Sequence, residues 1–414
     1  MLSAESLPLK SLVLSLTMLA PIANAEPATE INWPVRQVAA NFSHKNDAAP
    51  IHFRQLHTLY PSRKIANSEA VSSLPVTRKQ LKVADIRYDF DGKESIIGDY
   101  IDNRRLTGLL VIKDGKIVHE SNYFGYEAAS SRILFSTTKS IVSLLVGIAI
   151  DEGLINNVNE PLVKYLPELK GSGFDGASIK NVLQMTTALY FEGESAAAAG
   201  EGRDIRGATV RSLAFGNGGM RQQPKTAQHK PGAEHGEAWE YLNTNSQVLT
   251  VLLERVAGTT VAEFAQEKLW TKLGTEQPAY WLVDRRTDED AMEHGWMGLV
   301  ASLHDLGRIG LMVANEGKFN GHQIVSGDWL RESTTADNTA VRNLPHHKST
   351  DYGYQWWIPH GDAGEFMSVG FAGQIIYVNP SANAVVAQTA ADPDYGTRTK
   401  EEAVAVYRAL LSSL

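Results

Sequence analysis

The chain has 414 residues, 43% of them apolar and 21% charged, with 39 basic against 47 acidic side chains and no cysteine. This is globular composition with material for one large core or two, and the charge of −8 is spread without a basic cluster, which argues against nucleic-acid partners. Without cysteine there is neither a disulfide nor a thiol nucleophile.

Residues 1–25 read as a signal peptide: Lys10, the apolar run LVLSLTMLAP, then Ala23-Asn24-Ala25, the small-x-small pattern ahead of a cleavage point. The run is about half the ~20 residues a membrane span needs. The expectation is an exported protein, periplasmic or secreted, whose mature chain begins near Glu26 and has no membrane span. Residues 26–85 are polar, with Pro27, Pro34, Pro50, Pro61 and Pro75 interrupting any long element, and read as an extension wrapped on the main domain. The main domain, 86–414, opens with LTGLLVIKDGKIVHES, two apolar runs around Asp114-Gly115, a pair that favours the positive-φ turn of a hairpin.

A helix is predicted from Ser136 to Glu152, ended by Gly153. The 11 uncharged residues between Lys139 and Asp151 are too few to cross a bilayer, so it is a core helix. Residues from about 155 to 300 read as an all-helical insert with two long glycine-rich loops, EGESAAAAGEGRD and FGNGGMRQQPKTAQHKPGAEHGE, a length usual for functional loops. QIIYVNP and AVVAQTA read as strands and EEAVAVYRALLSSL as an amphipathic helix. The fold class expected is α/β of the α+β kind: a mainly antiparallel sheet flanked by helices, completed by both ends of the domain, with the insert between. Its nucleophile candidate sits where the two portions meet, a usual place for a small-molecule site.

That candidate is in FSTTKS. Ser136 and Lys139 are three apart and share a helix face, so the amine can reach the hydroxyl, while the Ser136 N–H at the helix mouth is free to serve an oxyanion in the positive field of the dipole. A bare Ser-x-x-Lys arises by chance about once in a chain of this composition, and a polar N-cap is the plainer reading. What favours chemistry is the context: an unpaired lysine in an all-apolar helix is costly. WEYLNTNSQVL adds Tyr241, whose phenol beside an ammonium could exchange the Ser136 proton, and Asn243, which could hold Lys139 and a substrate carbonyl. A capped helix with a packed tyrosine is the alternative. In SVGFAGQIIYVNP, Gly370 and Gly373 at a strand start allow close backbone approach, and Phe371 would offer a second oxyanion N–H. A glycine-kinked core strand explains the same residues.

In this order, the Ser-x-x-Lys helix, the Tyr-x-Asn and the glycine-bearing strand resemble the serine β-lactamase and penicillin-binding-protein superfamily, in its class C-like branch with esterase relatives. LTGLLVIKDGKIVHES, FSTTKSIVSLLVGIAI, Gln355-Trp356-Trp357 and VGFAGQIIYVNP are similar to the 6-aminohexanoate-dimer hydrolase group, over about residues 30–414. The resemblance implies that Ser136 is acylated, that Lys139 and Tyr241 handle protons with the base left open between them, that the Ser136 and Phe371 N–H groups form the oxyanion hole, and that Trp357 walls the cleft. Ser368-Val369-Gly370 stands where penicillin-recognising relatives carry Lys-Thr-Gly, so the cation for a substrate carboxylate is missing there. Short neutral esters are therefore expected to be preferred, unless a loop cation such as Arg342 or Lys348 fills the role. Ser195 stands where aminohexanoate hydrolases use a tyrosine, so nylon-oligomer hydrolysis is not implied.

Other chemistry is poorly supported. There is no G-x-S-x-G elbow and no H-E-x-x-H, and His229, His235, His346, His347 and His360 read as surface histidines rather than metal ligands, so no cofactor or metal is expected. Two functions of different class remain: a serine hydrolase acting on a small ester or amide, with β-lactamase or D-Ala-D-Ala peptidase activity as its variant, and a catalytically silent protein binding a cell-wall fragment or partner on the same fold.

Overall fold

The computed structural model describes residues 35–192, 205–286, 290–342, 344–361 and 364–414. The signal peptide, the boundary at Glu26 and Ser195 lie outside them. The extension supplies two helices, α1 (Val35–Asn41) and α2 (Ala49–Leu59), and strand β1 (Ser62–Ile65). Pro50, read as an interruption, lies in the first turn of α2, where a missing N–H costs nothing and the fixed φ suits the helix.

The first hairpin forms as read. β2 (Leu106–Lys113) and β3 (Lys116–Asn122) are joined by Asp114 and Gly115, at φ 51° and 72°, the double positive φ that a type I′ turn requires. β4 (Arg132–Ile133) leads into α3 (Thr137–Asp151). Then come α4 (Asn243–Ala257), β5 (Ala279–Leu282), β6 (Leu299–Ala301) and α5 (Leu303–Ala314). The chain closes with β7 (Thr350–Tyr352), β8 (Trp357–Pro359), β9 (Phe366–Gly370), β10 (Gln374–Asn379), β11 (Ala384–Ala390) and α6 (Thr397–Ser412). α6 starts at Thr397, ahead of the predicted Glu401.

Seven strands form an antiparallel sheet in the order β7-β8-β9-β10-β11-β2-β3. Ala384 stands opposite Lys113 and Gln388 opposite Leu109, so the first hairpin and the last strands share it. Leu110, Ile112, Ile376, Val378, Val385 and Ala387 pack in one core with α3 and α5. Leu109, Val111, Ile375, Tyr377 and Val386 point the other way, into a second core with Ala403, Val406, Tyr407 and Leu410 of α6. Cover on both faces is why these strands read as continuous apolar runs instead of alternating.

The insert is not all-helical. β5 and β6 belong to a second antiparallel sheet in the order β1-β5-β6-β4, with Arg63 opposite Trp281 and Val300 opposite Ile133. Strands of three or four residues are too short to reveal a period of two in sequence. This sheet sews the extension to the insert and then to the segment that enters α3. Residues 137–149 of α3 are all buried, and each large aliphatic side chain there contributes about 1.5–3 kcal/mol of transfer free energy. Among the described residues no helix is long and apolar enough to cross a membrane.

Candidate active site

From Arg132 to Ala149 every residue is buried except Ser136, which is partly exposed at the N-cap of α3. One turn on, Lys139 is 1% exposed. Its Nζ lies 2.8 Å from Ser136 Oγ and 2.8 Å from the Trp296 carbonyl. Buried amines need such polar partners. The Trp296 carbonyl is held by the insert: Gln247 of α4 accepts from the Gly295 N–H (3.2 Å) and donates to the Glu293 carbonyl (3.0 Å), and the Trp296 indole donates to Thr209 Oγ1 (3.2 Å). Sequence reasoning missed this acceptor because a backbone oxygen carries no residue signature.

Ser136 is aimed by the residue before it. Phe135 has φ 45°, a strained conformation for a bulky side chain, and its ring is packed edge-on by Phe42, Phe53 and Phe371 at 6.2, 5.0 and 5.4 Å. The N–H groups of Thr137, Thr138 and Lys139 turn back onto the carbonyls of Leu134, Phe135 and Ser136, whereas the Ser136 N–H donates to nothing among the described residues. The Phe371 N–H is likewise unused. Gly370 brings the two together: a Cβ there would stand 2.2 Å from the Leu134 carbonyl oxygen and 3.1 Å from Thr137 Oγ1, so only glycine lets β9 end against the turn before α3. Thr137 Oγ1 donates to the Gln374 carbonyl at 2.9 Å and pins the contact. The glycines are not at a strand start, as read from sequence: Gly370 ends β9 and Gly373, at φ 94°, lies in the turn to β10. Two free N–H groups from two elements, beside a partly exposed hydroxyl, suit a developing oxyanion.

The Tyr241 ring stands 5.1 Å from Lys139 Nζ, and Asn243 is the buried first residue of α4. Trp357 and Trp239 lie beside Tyr241 at 5.8 and 6.0 Å between ring centroids. Trp357 thus sits at the site, while Trp356 is fully buried against Phe366 at 5.5 Å. Gln355, at φ 65°, ties the helices together: its carbonyl accepts from Ser140 (2.7 Å), its Oε1 from Ser246 (2.6 Å), and its Nε2 donates to the Leu183 carbonyl (2.8 Å). Ser368 is fully buried; its Oγ accepts from the Ile376 N–H at 3.2 Å and lies 3.4 Å from Thr137 Oγ1, so it faces α3 and presents no surface to a substrate.

His347 is not a surface histidine. It packs edge-on against Trp239 and Trp357 at 5.7 and 4.9 Å, and burial, aided by Lys400, pulls its pKa down to about 4. Tyr395, which the sequence did not single out, packs on Phe371 at 5.2 Å, and burial pushes its phenol well up, with Tyr241 adding to the rise. It lies in a short loop with no motif around it.

Residues 94–409 match the family model described as Beta-lactamase. The 6-aminohexanoate-dimer hydrolase of Paenarthrobacter ureafaciens is 28% identical over 298 residues, 70% of this chain and 73% of that one. A solved structure from Bacillus anthracis, provisionally named a 6-aminohexanoate-dimer hydrolase, superposes with a TM-score of 0.77 at 20% identity, over 90% of this chain and 97% of the other. EstCE1, a hydrolase with promiscuous acyltransferase activity, superposes at 0.56 with 17% identity, over 76% of this chain and 96% of its own. Both likenesses carry the fold.

Proposed function

The chain belongs to the β-lactamase family, and on that premise we propose that it is an exported serine hydrolase cleaving a small ester or amide through an acyl-enzyme on Ser136. The observation that carries the reading is the 2.8 Å contact between Lys139 Nζ and the one partly exposed side chain of a buried helix entrance. In acylation the Ser136 proton passes to Lys139 or Tyr241, Oγ bonds to the substrate carbonyl carbon, and the oxyanion is received by the Ser136 and Phe371 N–H groups. The same pair returns the proton to the leaving alcohol or amine as its bond to the acyl carbon breaks. Water, deprotonated in the same way, then attacks the ester and frees the acid and Ser136. The polar surroundings of the buried amine and the two unused N–H groups favour this over a catalytically silent binder, which needs neither.

The test is a panel of short-chain esters, small amides and β-lactams, run with wild type and Ser136→Ala, alongside fluorophosphonate labelling. A single adduct at Ser136 and loss of turnover in the variant are expected. Labelling at another serine, or turnover surviving the substitution, overturns the assignment. Export is tested by the intact mass of secreted material, expected to begin near Glu26.

A further inference from the structure

We infer that Lys400 is an anion anchor at the edge of this cleft and that the substrate carries a carboxylate; the inference rests on the hydrolase reading above. Lys400 lies in the first turn of α6 and is 4% exposed. Its Nζ stands 4.4 Å over the Trp357 ring and 2.5 Å from His347 Nδ1. Among the described residues no carboxylate is within ion-pair distance of it. Glu401, whose charge acts on it, is itself bound to Arg398 at 2.6 Å. The first turn of α6 holds no acidic residue, and a helix N-terminus is the positive end of its dipole. The His347 imidazole is neutral at physiological pH, so it accepts a hydrogen bond from the ammonium without supplying charge. Every group facing Lys400 therefore leaves it short of a counter-charge, which a buried ammonium ordinarily has.

Its place relative to the nucleophile gives the deficit a use. A chain of contacts joins Lys139 to Lys400 through Tyr241 and Trp357: 5.1 Å from the first amine to the Tyr241 ring, 5.8 Å from that ring to Trp357, and 4.4 Å from Trp357 to the second amine. The chain leading into α6 also touches the oxyanion loop, through Tyr395 on Phe371 and the Asp392 N–H on the Ala372 carbonyl at 3.2 Å. The segment 392–400 therefore touches the site twice, at the loop that carries the Phe371 N–H and at Trp357. The cation missing at Ser368 enters from another element. Neither loop residue proposed from sequence supplies it: Arg342 is spent on the Ala336 carbonyl at 2.6 Å, and Lys348 is exposed.

The experiment compares matched pairs differing only in charge: p-nitrophenyl hydrogen glutarate against its methyl ester for a carboxylate on the acyl side, and 3-carboxyphenyl butyrate against its methyl ester for one on the leaving side. In wild type at pH 7, kcat/KM should favour the acid in at least one pair by about tenfold or more, the scale of a charge-assisted contact. Lys400→Met should erase that ratio. Burial pulls the Lys400 ammonium down to about 8, so the wild-type ratio should fall as pH rises through that value, while Lys400→Arg keeps it at pH 9. Equal ratios in wild type and Lys400→Met, or no acid preference in either pair, overturn the inference while leaving the nucleophile intact. Turnover that survives Ser136→Ala instead overturns the hydrolase reading.

Discussion

Two buried lysines sit in the first turn of two helices, and on the proposed hydrolase reading their surroundings suit them to different work. Lys139 in α3 is 1% exposed and bonded to a hydroxyl and a carbonyl, so it is placed to pass a proton. Lys400 in α6 is 4% exposed and faces an indole and a neutral imidazole, so it is placed to hold charge. Residue type and helical position are shared; what differs is whether the amine meets a group that can give up a proton. The chemistry of a lysine is set by its acceptors.

The Lys139 side of the comparison is broken first at Ser136. Ser136→Ala should cost about 10⁴-fold or more in kcat, read by single-turnover ester hydrolysis, because nucleophile and base act as a unit. Gly370→Val comes next. Its side chain would collide with the Leu134 carbonyl, 2.2 Å from an added Cβ, and push the Phe371 N–H out of place. A loss of about 10²–10³-fold in kcat with little change in KM is the signature of a lost oxyanion donor. Lys139→Ala and Tyr241→Phe should each slow turnover by about 100-fold, the scale of acid–base assistance. If Lys139→Ala altered only the preference for carboxylates, the two lysines would have one role and the contrast would fail.

The α3 side was legible in sequence because its parts are neighbours in the chain. Ser136, Lys139 and the apolar run fix one another through helical spacing, and Asp114-Gly115 fixes the hairpin ahead of them. The main sheet was legible for a related reason, since its strands are long and apolar. The α6 side was not. Trp357 was reached through the family resemblance, but His347 and Lys400 meet it, and Tyr395 meets Phe371, only through pairing of distant strands and the docking of α6, and each of those three alone reads as loop or core. The strands of the second sheet failed on length, and the Trp296 carbonyl has no side-chain identity to read.

Smaller effects concern the scaffold behind both lysines. Gln355→Ala should leave the Ser246 hydroxyl without its buried acceptor and take from the Leu183 carbonyl one of the two donors Gln355 gives it, and cost about 1–3 kcal/mol, measured by urea denaturation. The smallest effect is expected at His304 in α5. Its imidazole lies 3.0 Å from Glu120 and 3.1 Å from Glu276, and the bond to Glu120 raises its pKa. A raised folded pKa means that the stabilisation is complete below about 6.5, the unfolded value, and lost as pH climbs through the raised one. His304→Ala should flatten stability against pH across that window; an unchanged curve would show that the two carboxylates do not hold the imidazolium.

The pairing of β2 with β11 has a consequence for how the molecule is made. A strand ending at Lys113 waits for one beginning at Ala384, so the central sheet cannot close until nearly the whole chain has been synthesised. Contacts of such long sequence separation slow folding and leave apolar strand edges uncovered in the meantime. A ribosome-bound chain stopped short of residue 384 can pair β2 with β3 but has no native partner for the other edge of β2, and such truncated products are the expected targets of proteases and holding chaperones.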